Sequence, residues 1–516
     1  MNTTKLLRQC RYHTKLQFRH RSTVTATSLP RVDNSNVTPK PYNEIPGPTG
    51  IYNIPKIGGM FLFQPFTKYN LVRFHELSDM LFDKYGPIVR LSLGNGIVLT
   101  SDPQNIEHIY KYEGKYPKRP GIEIFEVYME RTKKAKNLLA LNGEKWAELR
   151  TQVQKKLVRP KSALHYIESQ SEVANDLVDR LRSIDPNDVR ELFFLFATES
   201  IAVVCFNKRL GILDGAVTKD VKEYLDSSKM FFTLINKGTL EFPFFKYFET
   251  PLYKKFKQAA DKTYGFGKVQ IEEALEKSLQ MKKDGTWNPE EPNFLMSLLA
   301  EEKLSIEQVT SLVLDLMVGG TDSTAKTLEI FLYCLARHPE KQENLQQEVL
   351  KYMGRHGDLT AINLPDMKYL TACLKESFRM YYPIAGGAAR FLPVDIILSG
   401  YNVPKGTLIS MGNRTLLMNP KYVTDPTVYR PERWLRDDKG ARADPIPSIG
   451  LIPFSVGVRN CIGRRFAEQE IYIAITKIVQ NFKVSLIDDT SNPPNMIYET
   501  FGSFVQKPMF KFEERN

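Results

Sequence analysis

Phe454-Ser-Val-Gly-Val-Arg-Asn-Cys-Ile-Gly-Arg-Arg465 sets one cysteine, Cys461, in a turn-rich run that leads into a helical pattern. Gly457 and Gly463 permit positive φ and close approach of the backbone to a flat ligand. Phe454, seven residues before the cysteine, can shield the sulfur from water. The helical pattern from Gly463 to about Phe482 would turn its positive N-terminal end and its free amides toward the sulfur, which favours the deprotonated thiol. Thiolate is the form that binds a metal. Arg459, two residues upstream, brings a cation able to meet a carboxylate on a bound cofactor. A cysteine by itself is most often a small buried hydrophobe, so the surrounding pattern is what gives Cys461 its chemistry.

The complete pattern Phe-x-x-Gly-x-Arg-x-Cys-x-Gly resembles the haem-thiolate loop of the cytochromes P450. The resemblance implies a mainly α-helical fold with minor β-sheets, a triangular helical prism around one buried b-type haem. It implies Cys461 as the axial ligand of the iron, with Phe454, Arg459 and Gly463 around the cofactor. A thiolate in that position pushes electron density toward the iron and favours O–O cleavage.

Upstream, Glu376-Ser-Phe-Arg379 places a carboxylate and a guanidinium one helical turn apart, and Pro431-Glu-Arg-Trp434 follows. Such pairs are usually solvated, but together these two resemble the family's Glu-x-x-Arg and Pro-x-Arg elements. The resemblance implies a buried network of Glu376, Arg379 and Arg433 that fixes the approach to the cysteine loop. Trp146 and Arg150 lie four apart on one helical face. In the family a Trp-x-x-x-Arg helix donates to a haem propionate, which assigns that role to both. Arg390, on a strand-like segment eleven residues after Arg379, is expected at the second propionate.

Ser305-Ile-Glu-Gln308 reads as a capping box opening a long helix that His338-Pro339 stops near Arg337. Its middle, Val318-Gly-Gly-Thr-Asp-Ser-Thr324, defies helix propensity, since two interior glycines cost roughly 1 kcal/mol each. Close helix packing is one account. The other follows from resemblance to the family's oxygen-activation motif: Gly319 and Gly320 let the backbone approach bound oxygen, and Asp322, Ser323 and Thr324 open a groove that relays protons. Serine stands at the family's threonine position; it keeps the hydroxyl with a freer χ1.

Length alone suggests two or three domains, whereas the resemblance implies a single catalytic domain over 33–516. Five cysteines without paired spacing point to reduced thiols and an intracellular compartment. The net charge of +12 is uneven: residues 1–32 hold seven basic residues and no acidic one, leaving +5 for the rest. That argues against nucleic acid as partner and makes 1–32 a mitochondrial transit peptide by composition. No run reaches the ~18 apolar residues of a membrane span. Phe231 to Phe256 is rich in aromatics beside lysines, which suits either a membrane-interface patch or buried helix packing. Before it, Gly94-Asn95-Gly96 signals a hairpin between Ile88 to Leu93 and Ile97 to Thr100. Short strands around Asp395 to Gly400 and Thr407 to Met411 suggest a second piece of sheet, and Phe501-Gly-Ser503 a turn into the pocket.

Arg464-Arg465 after Gly463, and Asn142-Gly-Glu-Lys-Trp146, resemble the mitochondrial branch of the family. That branch takes electrons from NADPH through ferredoxin reductase and a small acidic, adrenodoxin-like [2Fe-2S] ferredoxin. Cations near the cysteine are then expected to dock it: Arg464, Arg465, Lys375 and, because Thr371 stands where the branch often has lysine, Lys368 on the same helical face. The implied reaction inserts one atom of O2 into a lipophilic substrate, a sterol, steroid-like hormone or xenobiotic, on the matrix side of the inner membrane with peripheral membrane contact. Alternatives are a haem-thiolate isomerase or dehydratase that needs no electron partner, and a haem-binding sensor without catalysis.

Overall fold

The computed structural model describes residues 38–158, 160–213, 217–240, 243–286, 293–299, 303–437, 440–442, 444, 446–487 and 493–515. The transit-peptide reading of 1–32 and Phe242 of the aromatic run lie outside them. Helices dominate: α1 (Phe74–Tyr85), α2 (Pro103–Tyr112), α3 (Glu123–Arg131), α4 (Gly143–Leu157), α5 (Pro160–Leu164), α6 (Ile167–Leu181), α7 (Val189–Phe206), α8 (Lys219–Leu240), α9 (Pro251–Lys283), α10 (Phe294–Leu299), α11 (Ile306–Arg337), α12 (Pro339–Met353), α13 (Lys368–Met380), α14 (Asn413–Leu417) and α15 (Arg464–Asn481).

The long helix forms as its sequence dictates. Ser305 accepts from the Gln308 amide at 3.2 Å while the Gln308 side chain accepts from the Ser305 amide at 2.9 Å. This reciprocal cap starts α11, whose 32 residues span ~48 Å. α11 packs most extensively against α7, which is buried almost all round and therefore apolar all round. The polar interruption Thr198-Glu199-Ser200 is buried too. Glu199 meets the amides of Leu210, Gly211 and Ile212 at 2.7, 3.1 and 3.1 Å and so anchors the chain that leaves α7. α15 lies against α6, α11 and α12, which brings the cysteine loop before it beside the central helices.

Strands β1 (Ile88–Leu91) and β2 (Ile97–Thr100) pair antiparallel, Ile88 opposite Thr100. β3 (Ala389–Phe391) carries Arg390, and β4 (Ile396–Leu398) and β5 (Tyr401–Val403) form a separate hairpin. The expectation of a second piece of sheet needs correction for β6 (Leu408–Met411). This strand joins β2 in parallel and β3 antiparallel, giving one four-stranded sheet of order β1-β2-β6-β3. Alternation along one strand cannot specify a partner some three hundred residues away. β7 (Phe482–Leu486) pairs with β10 (Phe510–Glu514), and β8 (Met496–Tyr498) with β9 (Gly502–Phe504). The expected turn over 501–503 lies earlier, over 499–501, with Gly502 and Ser503 already in β9; Phe501 and Gly502 do line a cavity shared with Ser323, Lys326 and Tyr381.

Candidate active site

Between the sheet and α15, the cysteine loop reverses at Ser455 and Gly457, both in the left-handed region, with φ 59° and 74°. The Cys461 amide then donates to the Phe454 carbonyl at 2.8 Å. Gly463 is the N-cap of α15, and the amides of Gly463 and Arg464 point at the Cys461 sulfur. Cys461 keeps accessible surface, although its sulfur lies deep in the protein. Burial pushes the thiol above its usual range; the two amides and the Arg150 charge pull against it. The helix terminus thus acts as expected without by itself producing a thiolate, and a bound cation would complete the balance. Phe454 is flanked by Phe378 at 5.7 Å edge-on and by the Arg464 guanidinium at 5.5 Å.

Gly457 takes the positive φ expected of it, whereas Gly463, at φ −86°, does not, and Gly457 has a second purpose. A Cβ there would sit 2.5 Å from Glu113 Oε1, so this glycine makes room for a buried carboxylate. Gly457→Ala combines that clash with an unfavourable positive φ, and is expected to cost about 1–3 kcal/mol. Chemical denaturation of the holoprotein checks it.

Around the loop converge four arginines: Arg119, Arg150, Arg390 and Arg459. Arg150, on α4, donates to Asn460 Oδ1 at 2.6 Å and leaves Nε unpartnered. Arg459 lies over the Trp146 ring at 4.1 Å and donates to the Leu141 carbonyl at 2.8 Å, leaving Nε and one terminal nitrogen unpartnered. Arg390 donates to Glu113 at 2.7 Å, with a terminal nitrogen left over. Arg119 donates to the carbonyls of Leu138 and Leu139 at 3.3 and 3.2 Å. Burial and then the neighbouring Arg119, Arg390 and Arg150 press Arg459 down to about 9, and burial presses Arg150 to about 10. Buried, mutually repelling guanidinium groups with spare N–H donors fit a ligand carrying two carboxylates. A flat dicarboxylate whose metal meets one sulfur satisfies both halves of the site. Consistent with that single sulfur, the described residues contain no group of three or more His, Cys, Asp or Glu able to hold an ion by themselves.

The sequence reading anticipated Trp146, Arg150, Arg390, Arg459 and Cys461 here, and missed Arg119 and Glu113. Glu113-Gly-Lys-Tyr-Pro-Lys-Arg119 reads as loop, and only the fold brings it beside Gly457 and Arg459.

Across α11 the two glycines divide the competing accounts. A Cβ on Gly320 would meet Ile201 at 3.1 Å, which is close helix packing, whereas Gly319 has open space. α11 is assigned as one continuous helix through this stretch, and Thr321, Ser323 and Thr327 each donate to the carbonyl four residues back, Ser323 to Gly319 at 2.7 Å. A hydroxyl that bonds within its own helix satisfies the backbone without unwinding it. Asp322 pairs with Lys326 at 2.9 Å, and Lys326 and Ser323 line the same cavity. Thr324 departs from the expected catalytic role, for its hydroxyl donates to Glu470 at 2.7 Å inside the core.

Burial pushes Glu470 up to about 8, against the hydrogen bonds from Thr324 and Ser200. A carboxyl raised in the folded state favours folding most below its ordinary value of 4.5, and that contribution is lost as pH rises toward 8. Glu470→Gln should therefore flatten the fall in stability over that window and gain roughly 3 kcal/mol at pH 7. Melting temperatures at pH 5 and pH 8 check it, the variant gaining at pH 8.

The network of Glu376, Arg379 and Arg433 forms as expected, all three fully buried. Glu376 accepts from Arg379 at 3.0 and 2.9 Å and from Arg433 at 3.0 Å. It also accepts from Trp434 Nε1 at 2.8 Å and from the Arg430 amide at 2.9 Å. Asp444, missed from the sequence, is the second acid, paired with Arg433 and with Arg430. On the outer face, Arg464 and Arg465 are half exposed and share Glu468. Lys368 is exposed, and Lys375, partly buried, has Arg442, Arg464 and Arg436 around it.

A sulfur backed by a helix terminus, beside a buried cradle of arginines with spare donors, fits a haem-binding protein. The chain belongs to the cytochrome P450 family, whose model matches residues 48–512. It is 32% identical over 475 residues to "Probable cytochrome P450 12a5, mitochondrial" of Drosophila melanogaster, covering 85% of this chain and 87% of the relative. "Cytochrome P450 CYP12A2" of Musca domestica is 32% identical over 508 residues, 92% of this chain and 91% of the relative. "Cytochrome P450 27C1" of Aquarana catesbeiana is 26% identical over 458 residues, 86% and 83%. The chain is thus a haem monooxygenase.

Proposed function

We propose that this P450 is a mitochondrial enzyme that takes electrons from an adrenodoxin-like ferredoxin and hydroxylates a lipophilic substrate, a sterol or steroid-like hormone or a xenobiotic. The observation that carries the reading is the Cys461 sulfur, held by the Gly463 and Arg464 amides beside arginines with spare donors. The names of the Drosophila relatives support the compartment, as does the basic composition of 1–32, read as a transit peptide before a catalytic domain over 33–516.

When bound, the haem supplies the activation of O2 for insertion into an unactivated C–H bond. The protein does the rest. Cys461 would hold the iron through its sulfur, at which the amides of Gly463 and Arg464 are aimed. Arg150, Arg459 and Arg390 would hold the two carboxylates of the cofactor, and Trp146 fixes Arg459 by stacking. Asp322 and the Ser323 hydroxyl would relay protons once each leaves its present partner, Lys326 and the Gly319 carbonyl. Apolar walls, Phe378 and Phe501 among them, exclude water and place the target carbon.

Arg464, Arg465, Lys375 and Lys368 make the face for the acidic ferredoxin, with Arg436 and Arg442 beside them. Arg465→Glu is expected to raise the KM for ferredoxin about tenfold, with a weaker salt dependence and an unchanged CO-bound spectrum. Steady-state titration of ferredoxin at two ionic strengths checks it. Membrane contact is peripheral. Among the described residues no helix is long and apolar enough to cross a bilayer, and Tyr247 and Phe248 are exposed while Phe231, Phe245 and Phe256 pack inside.

Reconstitution with NADPH, ferredoxin reductase and ferredoxin tests the proposal. Hydroxylated product formed only with the complete chain of electron donors supports it. Peroxide rearrangement without electrons would favour an isomerase or dehydratase. Haem binding without conversion of any lipophile screened would favour a sensor.

A further inference from the structure

Glu113 caps the C-terminal end of α2 and is 5% exposed. Its Oε2 accepts from Arg390 Nε at 2.7 Å, and its Oε1 occupies the space that a side chain at Gly457 would fill. The carboxylate is therefore wedged between a cation of the cradle and the backbone of the cysteine loop. Of the charges that act on Arg459, Arg119, Arg390 and Arg150 have one sign and Glu113 the other. Burial raises the Glu113 carboxyl, while Arg390 and Arg459 hold it toward the ionised form. A second strut fixes the same contact. Tyr110, one turn back on α2, bonds Ser455 of the loop at 3.0 Å and lies under the Arg390 guanidinium at 5.4 Å.

The arrangement is not needed to satisfy Arg390. A bound carboxylate would accept from the Nε that Glu113 occupies, just as it can from the spare terminal nitrogen. The protein instead spends one edge of the guanidinium on its own acid. A fixed negative charge in a buried, low-dielectric site acts over several ångströms, and charge and burial are among the levers that set a haem's potential.

We propose that Glu113 tunes the reduction potential of the bound haem, its carboxylate opposing the arrival of each electron and thereby keeping the resting enzyme ferric. This rests on the haem site proposed above. The step concerned is the uptake of one electron by ferric haem to give ferrous haem, supplied by the ferredoxin in turnover and by dithionite in the test. Glu113 neither gains nor loses a proton in it. Glu113 is a positioning residue, acting through Arg390 and through its own charge.

The test is a spectroelectrochemical titration of substrate-free holoenzyme: wild type, Glu113→Gln and Glu113→Asp. The glutamine variant is expected to retain haem and its thiolate-type CO band, and to shift the one-electron equilibrium toward ferrous haem by about tenfold, ~59 mV. The aspartate variant keeps the charge and should shift much less. An unchanged equilibrium in a haem-loaded glutamine variant overturns the proposal. So does loss of haem or fold in the glutamine variant with retention in the aspartate variant, which makes the contact purely structural. Absence of a thiolate-type band in the wild type would instead strike the haem assignment itself.

Discussion

Glu376→Gln is expected to leave a protein that is purified largely without haem and has lost about 3–5 kcal/mol of stability. The side chain keeps its shape but gives up the charge that faces Arg379 and Arg433, both fully buried. Five donors now end on its two oxygens, and an amide oxygen can serve only part of them. Arg379 is further held by the carbonyls of Leu417, Pro426 and Val428, so it cannot swing out to water without unmaking the segment that leads to the cysteine loop. The damage should reach the haem for that reason. The haem-to-protein ratio and the urea midpoint are the measurements; near-wild-type values for both would show that the network is not what orders the loop.

Cys461→Ala should abolish oxygenation and the thiolate-type CO spectrum while leaving the fold nearly intact. Cys461 keeps accessible surface and is not among the buried core residues, so its loss leaves no new hole among apolar side chains. The amides of Gly463 and Arg464 then lose the sulfur they face, at the positive end of α15, where water can take its place. Circular dichroism and melting close to wild type, with no turnover from the complete electron chain, is the expected pair of results. Oxygenation surviving the change would place the ligand elsewhere.

These two groups also show how far the chain could be read from its residues. Glu376, Arg379 and Cys461 sit in local patterns whose spacing carries the information, and so did the Ser305 cap and the length of α11. What escaped was non-local. Arg119 and Glu113 reach the arginine cradle only because α2 is set against β3 and the cysteine loop. Asp444 joins Arg433 across irregular chain with no periodicity to announce it. The partner of β6 was missed for the same reason. Within α11 the limit was different: the residues that weaken a helix were recognised, but a Ser or Thr hydroxyl can either open a helix or bond back to it. Propensity does not choose between them. Here Ser323 bonds back, and the Lys326 contact to Asp322, four residues away on one face, was readable in principle and was not read.

The most direct test of the central claim is the spectrum of the reduced, carbon-monoxide-bound protein lacking residues 1–32, recorded before any partner or substrate is added. A thiolate-type Soret band in the folded wild type, absent from Cys461→Ala, is the result predicted. A histidine-type band in correctly folded wild type would contradict the assignment of Cys461, and with it the oxygen chemistry built on that sulfur.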